Sequence, residues 1–295
     1  MLTDPIDAHS PAMGGAVATA DAVQSDGPNE FHGASRVTRQ SRHSTDFPRI
    51  SVVIPTLNEE LNIPLVLAEL PADVHEVVIV DGRSTDGTIQ AALRSRPDSR
   101  IVMQSGRGKG DALRCGFEAA TGDILIMLDA DGSADPAEMP QFVQALMDGA
   151  DFAKGTRFMG DGGSSDLTPL RRIGNHVLSG TVNLLYRTSY TDLCYGYNAF
   201  WRHCLPSMNV DCHGFEIETL INIRIGRAGL VVQEIPSFER DRVHGQSNLR
   251  TFRDGARVLR TILRERVRRS PNSHHAIHIA ERTAAAELGL AADHV

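Results

Sequence analysis

The sequence lacks a long apolar segment. No run approaches the ~20 apolar residues that a membrane-spanning helix needs, and the N-terminus lacks the basic flank and apolar core of a secretory signal peptide. The chain of 295 residues is therefore predicted not to cross a membrane. Its length fits one large α/β domain with additional residues at both ends.

Cysteine is scarce, and the spacing of the cysteines argues against a CxxC redox motif and against a metal site built from cysteine and histidine. The four cysteines form no CxxC pair and have no metal-ligand spacing with histidine. We therefore expect reduced, packing cysteines in a cytoplasmic protein. The net charge of −7 at pH 7 argues against a general nucleic-acid binder, so no nucleic-acid partner is predicted.

Lysine is nearly absent, because Lys109 and Lys154 are the only lysines and all other cationic side chains are arginines. Residues 1–47 are rich in Ala, Gly, Ser, Asp and His and have no periodicity, which predicts a disordered N-terminal leader. We expect a folded domain over residues 48–248, a basic amphipathic helix over 249–269 and a flexible tail over 270–295.

From Arg49 onward, short apolar runs alternate with helical patterns. Four or five such units in succession predict a doubly wound, mostly parallel α/β sheet with helices on both faces. The predicted strands are Ile50–Pro55, Glu76–Asp81, Arg100–Gln104, Ile124–Asp129, Asp151–Thr156, Tyr197–Trp201 and Leu230–Ile235. The predicted helices are Glu59–Leu70, Asp86–Arg94, Lys109–Ala120, Pro136–Met147, Leu170–Tyr186 and Phe215–Ala228.

The run ILIMLDAD delivers two carboxylates, Asp129 and Asp131, directly after a buried strand. Ligands of open α/β sheets bind beyond the carboxyl ends of the strands. Mg²⁺ is usually held by one or two carboxylates together with substrate phosphates. This spacing indicates a site for a metal ion and a diphosphate, although an Asp-rich turn without a ligand has the same pattern.

Polar residues also follow two other strands. Asp81 ends the second strand, where it can accept a hydrogen bond from a ribose hydroxyl or a base edge, and Gly82 lets a ligand approach the backbone. The segment GRGKGDA places Lys109 at the start of a helix, where it can meet an anionic group. This segment has Asp111 where a dinucleotide-binding fingerprint needs glycine, which disfavours an NAD-dependent oxidoreductase.

The segments PTLNEE, VDGRSTDGT, GRGKGDAL and LDADGS occur in this order. Together they resemble the nucleotide-sugar domain of inverting glycosyltransferases of family 2, which have the GT-A fold. The segments GTRF, TDLCYGY, GFEIE, EIPSFERDR and HGQSNL follow in order and extend the resemblance. The full set is similar to dolichyl- or polyprenyl-phosphate sugar synthases of the dolichol-phosphate mannosyltransferase type, over roughly residues 49–265.

The resemblance implies a nucleoside diphosphate sugar as donor and Mg²⁺ or Mn²⁺ as cofactor. The metal ligands would be Asp129 and Asp131, with Asp131 counted among the catalytic residues. The other residues implied in donor binding, together with Asp129, are Pro55, Thr56, Asn58, Glu59, Asp81, Gly82, Lys109 and Ala130.

The resemblance also implies a lipid phosphate as acceptor. Such a phosphate is mostly ionised at neutral pH and needs cations rather than a base. By motif position the acceptor residues would be Arg157, Arg171, Arg242 and Ser247, with Arg172 as a competitor of Arg171. Arg157 and Arg242 also count among the implied catalytic residues.

Two alternatives remain open at the level of sequence. A hydroxyl acceptor on the same fold would require a general base, for which Asp192 is favoured over Glu216 and Glu218. The second alternative is a non-catalytic protein that binds nucleotide sugars.

The segment Leu249–Arg269 has apolar residues at helical spacing, with a stripe of arginines beside them. It holds eight arginines against two acidic residues, Asp254 and Glu265. A basic amphipathic helix of this kind can lie on an anionic membrane surface, which predicts an enzyme peripheral to the inner face of the cell membrane. The alternative is a helix packed on the sheet with its arginines in water.

Overall fold

A computed structural model describes residues 47–245 and 251–268 of the chain. The predicted leader, the predicted tail, Ser247 and the ends of the predicted basic helix lie wholly or largely outside these ranges. The strands are β1 (Ile50–Thr56), β2 (Glu76–Asp81), β3 (Arg100–Met103), β4 (Ile124–Met127), β5 (Phe152–Thr156), β6 (Gly163–Ser164), β7 (Asn198–Trp201), β8 (Val232–Pro236) and β9 (Phe238–Glu239). The α-helices are α1 (Ile63–Glu69), α2 (Thr88–Ser95), α3 (Gly108–Ala119), α4 (Met139–Met147), α5 (Pro169–Tyr186), α6 (Leu205–Met208), α7 (Ile217–Arg227) and α8 (Thr251–Val267).

Seven of the strands form one sheet in the order β3-β2-β1-β4-β7-β5-β8. All neighbours in this sheet are parallel except β7, which runs antiparallel to β4 and β5. The predicted α/β class, a doubly wound and mostly parallel sheet flanked by helices, is confirmed. The two-residue strands β6 and β9 form a separate parallel pair that the sequence pattern does not predict.

Both faces of the sheet are buried, because adjacent residues of β1 point into different apolar clusters. Val52 and Ile54 pack with side chains of α1, α2 and α4. Val53 packs on the opposite face with side chains of α3, α6 and α7. This arrangement explains why β1 is a continuous apolar run rather than an alternating one.

Two predicted boundaries shift for local reasons. Helix α1 begins at Ile63 rather than Glu59, because Asn58 has a left-handed φ of 57° and proline occupies the first turn. Strand β4 ends at Met127, where its pairing with β1 stops opposite Val53. Asp129 and Asp131 therefore lie in the loop after the strand, at the sheet edge where ligands bind.

Helix α8 lies within residues 249–269, the range of the predicted basic helix. It packs against α5 and α7 through Val258 and Ile262. Arg224 of α7 fixes it further by pairing with the buried Glu265 at 2.9 Å. Within residues 47–245 and 251–268, no helix is both long and apolar enough to span a bilayer.

Candidate active site

A cleft of about 940 Å³ lies beyond the carboxyl ends of β1, β2 and β4, where open α/β sheets bind their ligands. Its volume is within the range of small-molecule sites. The cleft brings together most of the residues singled out in the sequence. These are Pro55, Thr56, Glu59, Gly82, Lys109, Asp129, Ala130, Asp131, Arg157, Arg171 and Arg242.

Asp129 is held by Lys109, from the first turn of α3. The Lys109 ammonium lies 2.7 Å from Asp129 Oδ1 and 2.7 Å from Oε1 of Glu218 on α7. Burial lowers the pKa of Lys109, but the two carboxylates outweigh it and hold that pKa above its usual value. Burial raises the pKa of Glu218, and Lys109 only partly offsets this effect. A charged lysine thus lies beneath Asp129.

Asp131 is held by Arg242 from the opposite side of the cleft. The Arg242 guanidinium donates to Asp131 Oδ2 at 2.8 Å and to Glu59 Oε1 at 2.9 Å. The other oxygen of Asp131 accepts hydrogen bonds from the backbone and hydroxyl of Ser133. Arg242, which the resemblance assigns to the acceptor, therefore contacts the carboxylates of the donor end.

The donor chemistry of Asp129 and Asp131 fits a divalent ion of the Mg²⁺ type. Both supply carboxylate oxygens to the cleft, and such ions prefer oxygen ligands. Over the residues that the structure describes, no group of three or more His, Cys, Asp or Glu side chains could hold a metal ion. Oxygens of a bound diphosphate and water would therefore have to complete the coordination of an ion placed here.

The second strand ends in a buried, incompletely satisfied carboxylate. Asp81 Oδ2 accepts from the backbone of Ser84 at 2.9 Å, while Oδ1 is buried and has no hydrogen-bond partner among the described residues. A buried acceptor without a partner is costly, and a donor on a nucleoside would satisfy it. Asp81 does not itself line the cleft, but its neighbour Gly82 does.

Asn58 has a different place from the one that the resemblance implies. It is not among the residues that line the cleft. Its side-chain oxygen accepts from the backbone of Thr85 at 2.8 Å, and its backbone donates to the hydroxyl of Ser84 at 2.9 Å. These bonds join the loop after β1 to the loop after β2, so Asn58 shapes the donor end from outside.

Arg157, at the end of β5, lines the cleft above Asp192. Its guanidinium donates to the two Asp192 oxygens at 2.7 and 3.0 Å and to Glu239 at 2.9 Å. It also stacks on the ring of Tyr195, with 5.0 Å between its central carbon and the ring centroid. These bonds use three of the five guanidinium N–H donors, which leaves two for a ligand.

Asp192 is fully buried beneath this guanidinium and does not line the cleft. Burial alone would raise its pKa, but the charge and hydrogen bonds of Arg157 outweigh that effect and hold the pKa of Asp192 below its usual range. A carboxylate with a low pKa and no exposed oxygen is a poor general base. The structure thus argues against Asp192 as the base, and its contacts make it a positioning residue for Arg157.

The structure shows which of Arg171 and Arg172 lines the cleft, a distinction that the sequence does not make. Arg171 lines the cleft and pairs with Asp166 at 3.2 Å. Arg172 is exposed outside the cleft lining, over the ring of Phe158. The two alternative bases separate in the same way: Glu218 lines the cleft, whereas Glu216 does not.

Several residues that line the cleft were missed in the sequence. Gln104 directly follows β3, so the signal that pointed to Asp81 and Asp129 could have identified it. Tyr195 and Glu239 have no such signal, because Tyr195 lies in a loop and Glu239 ends a two-residue strand. Phe215 lies in the GFEIE motif, in which only the carboxylates were considered.

The model of the glycosyl transferase family 2 matches residues 51–205, more than half of the chain, so the chain belongs to this family. Among similar proteins is the glycosyltransferase AglJ of Haloferax volcanii, 29% identical over 225 residues that cover 75% of this chain and 73% of AglJ. The low-salt glycan biosynthesis hexosyltransferase Agl6 of the same organism is 30% identical over 242 residues, which are 80% of this chain and 58% of Agl6. The chain thus spans less than two thirds of the length of Agl6.

Solved structures with the same fold include glucosyl-3-phosphoglycerate synthase from Mycobacterium tuberculosis. Its complex with Mn²⁺, UDP and phosphoglyceric acid has a TM-score of 0.61 and 23% identity, and the match covers 76% of this chain and 81% of that one. Its complex with phosphoglyceric acid has a TM-score of 0.60 and 26% identity over 74% and 80% of the two chains. The chain is thus a glycosyltransferase with the GT-A fold.

Proposed function

We propose that this glycosyltransferase moves a sugar from a nucleoside diphosphate sugar to a polyprenyl phosphate of the dolichyl type, with Mg²⁺ or Mn²⁺ as cofactor. The observation that carries the proposal is the arrangement of charge in the cleft. At one end the cleft is lined by Asp129 and Asp131, which pair with Lys109 and Arg242. At the other end it is lined by the Arg157 guanidinium, which pairs with the buried Asp192 and with Glu239. The first end suits a metal-bound diphosphate, and the second suits a phosphate.

The donor would lie over Thr56 and Gly82, and Gly82 directly follows the buried Asp81. Its diphosphate would lie beside Asp129 and Asp131. A bound divalent ion would supply Lewis-acid stabilisation of the charge that develops on the leaving diphosphate. The complexes of the mycobacterial synthase with Mn²⁺ and UDP support this assignment.

The acceptor end supports a nucleophile that is already ionised. A phosphate monoester carries a charge of roughly −1.5 to −2 at pH 7 and needs no base. Asp192 is committed to Arg157, and Glu218 is committed to Lys109. Arg157 and Arg171 would bind the phosphate, while Arg242, paired with Asp131, would lie where acceptor and diphosphate meet.

Helix α8 supports a membrane-bound acceptor. Its side chains Phe252, Leu259, Leu263 and Val267 are exposed, and we call them the α8 apolar stripe. Exposed arginines lie beside this stripe at Arg253, Arg257, Arg260 and Arg264. An apolar stripe flanked by cations fits an anionic bilayer surface. We therefore propose that the enzyme binds peripherally to the inner face of the cell membrane through this helix.

Product analysis tests the proposal. Purified protein with Mn²⁺ is incubated with UDP-glucose, UDP-N-acetylglucosamine or GDP-mannose, together with undecaprenyl phosphate or 3-phosphoglycerate, and the products are identified by mass spectrometry. We expect a prenyl-phosphate sugar from one donor and none from the Asp131→Asn variant.

Sugar transfer to 3-phosphoglycerate alone would overturn the lipid acceptor and favour a hydroxyl acceptor, as the phosphoglyceric acid complexes of the mycobacterial synthase suggest. No turnover with any donor, together with no binding of UDP, would favour the non-catalytic alternative.

A further inference from the structure

One wall of the cleft is built by helices α5 and α8, which pack against each other. On α5, Arg171, Gly174 and Leu178 line the cleft at helical spacing, on one face of the helix. On α8, Gly255 and Val258 line it in the same way. The two helices therefore present a glycine each, followed by an apolar side chain.

Neither the backbone conformation nor the packing around Gly174 and Gly255 requires glycine. Glycine is unfavourable inside a helix, and neither Gly174 nor Gly255 has a positive φ. A Cβ added at either position would meet no atom within 4 Å among the residues that the structure describes. By contrast, a Cβ at Gly116 of α3 would lie 2.3 Å from Val53 Cγ1, so close packing explains that glycine. The space beside Gly174 and Gly255 is open and, unlike that beside the exposed Gly180, belongs to the cleft. We call the part of the cleft between α5 and α8 that these two glycines line the groove.

The groove changes in polarity along its length. Arg171 lies one turn before Gly174 at one end of the groove, where it pairs with Asp166 at 3.2 Å. Its walls carry Leu178 and Val258. The acidic residue on the same wall, Asp254, pairs with Arg257 at 3.4 Å. A cation at one end of an apolar groove fits a ligand with an anionic head and a hydrocarbon tail.

The same two helices continue the apolar character outward. Helix α8 carries the α8 apolar stripe, and α5 exposes Leu170, Ile173, Val177 and Leu184. Large exposed apolar patches mark surfaces that bind partners or membranes. The groove thus joins a cationic site inside the cleft to the apolar helices that border it.

We propose that the groove between α5 and α8 holds the first isoprene units of the acceptor, and that Gly174 and Gly255 determine acceptor specificity by keeping it open. This inference rests on the proposed function and adds to it the path of the lipid.

The variants Gly174→Leu and Gly255→Leu test the proposal. Leucine fills the groove and is a better helix former than glycine, so the fold should be retained. Gly180→Leu is the matched control, because Gly180 lies on α5 outside the cleft lining and a Cβ there also meets no atom within 4 Å in the described part of the chain. Steady-state transfer is measured with undecaprenyl phosphate and with a water-soluble two-isoprene phosphate, which needs no membrane.

We expect the KM for both acceptors to rise at least tenfold in the two groove variants and to stay at the wild-type value in Gly180→Leu. Binding of UDP with Mn²⁺ should not change. Alanine at the same positions should give a smaller increase than leucine. This graded result is expected because the effect depends on the volume added.

Unchanged KM values in both groove variants would overturn the inference. So would an increase confined to the long lipid, since that result would reflect membrane docking rather than occupation of the groove. Failure of the wild-type enzyme to use either prenyl phosphate is a different outcome, because it would overturn the proposed function itself.

Discussion

Two ion pairs of the cleft have opposite orientations. In the pair at the donor end the carboxylate is the more exposed member: the Asp129 side chain is 33% exposed and its partner Lys109 is 13% exposed. In the pair at the acceptor end the cation is the more exposed member: the Arg157 side chain is 6% exposed and Asp192 beneath it is fully buried. Side chains of both signs line each end, because Arg242 pairs with Asp131 and Glu239 pairs with Arg157.

Under the proposed function, this difference would let one cleft bind a metal ion and an acceptor phosphate side by side. Two anionic groups repel each other, so a diphosphate and a phosphate need cations of different kinds around them. A buried ion pair costs desolvation energy unless its hydrogen bonds are satisfied. Both Asp192 oxygens and three Arg157 donors are satisfied, so the Arg157 guanidinium is held in a fixed position.

The largest loss of activity is expected from substitution of a carboxylate at the donor end of the cleft. Asp131→Asn removes a charge from the metal site while keeping the shape of the side chain and its contact with Ser133. We expect sugar transfer to fall roughly 10³-fold, the size of losing one electrostatic stabiliser of a transition state. Radiolabelled sugar transfer at saturating Mn²⁺ measures the loss. Activity within threefold of wild type would remove Asp131 from the metal site.

The buried carboxylate beneath Arg157 comes next. Asp192→Asn leaves the guanidinium with Glu239 alone, so we expect kcat/KM for the acceptor to fall about 100-fold, of the size that losing one partner of a buried charge pair costs. The KM for the donor should stay near its wild-type value. If Asp192 were instead the general base, kcat would fall without a change in acceptor KM.

The contribution of the Arg157–Asp192 ion pair to the free energy of unfolding should depend on pH. Because the folded pKa of Asp192 is lowered, the pair contributes stability above the unfolded pKa of about 3.9 and loses it as pH falls through the folded value. Asp192→Asn should therefore lower the free energy of unfolding by about 3 kcal/mol at pH 7, and the difference should shrink below about pH 4. Urea titrations of both proteins from pH 3 to 7 measure it. A difference that grows as pH falls would contradict the lowered pKa.

Membrane binding tests whether the acceptor end continues into a lipid surface. Leu259→Ser combined with Leu263→Ser should weaken binding to vesicles of anionic lipid about 30-fold, from the apolar area lost. Leu93→Ser is the control, since Leu93 of α2 is 39% exposed against 44% for Leu259 but lies away from α8. Vesicle co-sedimentation gives the affinities. Equal binding of the wild type, the double variant and Leu93→Ser would show that the α8 apolar stripe does not bind the vesicles.

The smallest effect is expected for the peripheral arginines. Arg171→Gln should raise the acceptor KM about tenfold, as expected from the loss of one charge-assisted hydrogen bond. Arg172→Gln removes the same charge from the neighbouring position outside the cleft lining and should change the acceptor KM less than twofold. Equal effects of the two substitutions would indicate general charge attraction rather than contact with the phosphate.

The donor end could be predicted from the sequence largely because it depends on strand ends. The apolar runs of β1, β2 and β4 stop at polar residues, and the ends of parallel strands meet at one edge of the sheet. Asp129 and Asp131 can therefore be assigned to the cleft without knowledge of their contacts. The same rule fails for Asn58, because a side chain two residues beyond a strand can bond to a neighbouring loop instead of a ligand.

The acceptor end could not be predicted in the same way. Arg157 and Asp192 are 35 residues apart, so the sequence shows neither that they pair nor which of them lines the cleft. The phase of α5, which distinguishes Arg171 from Arg172, depends on which face packs. In α8 the apolar spacing does not show that Glu265 is buried, because its burial depends on the pairing with Arg224.

The most direct test of the two-ended cleft is the affinity for UDP in the presence and absence of Mn²⁺, measured by calorimetry on wild type, Asp131→Asn and Arg157→Lys. We predict that Asp131→Asn loses the increase in affinity that Mn²⁺ gives, and that Arg157→Lys keeps it while its transfer to the lipid phosphate falls. A loss of Mn²⁺-dependent UDP binding in Arg157→Lys equal to that in Asp131→Asn would contradict the separation of the two ends.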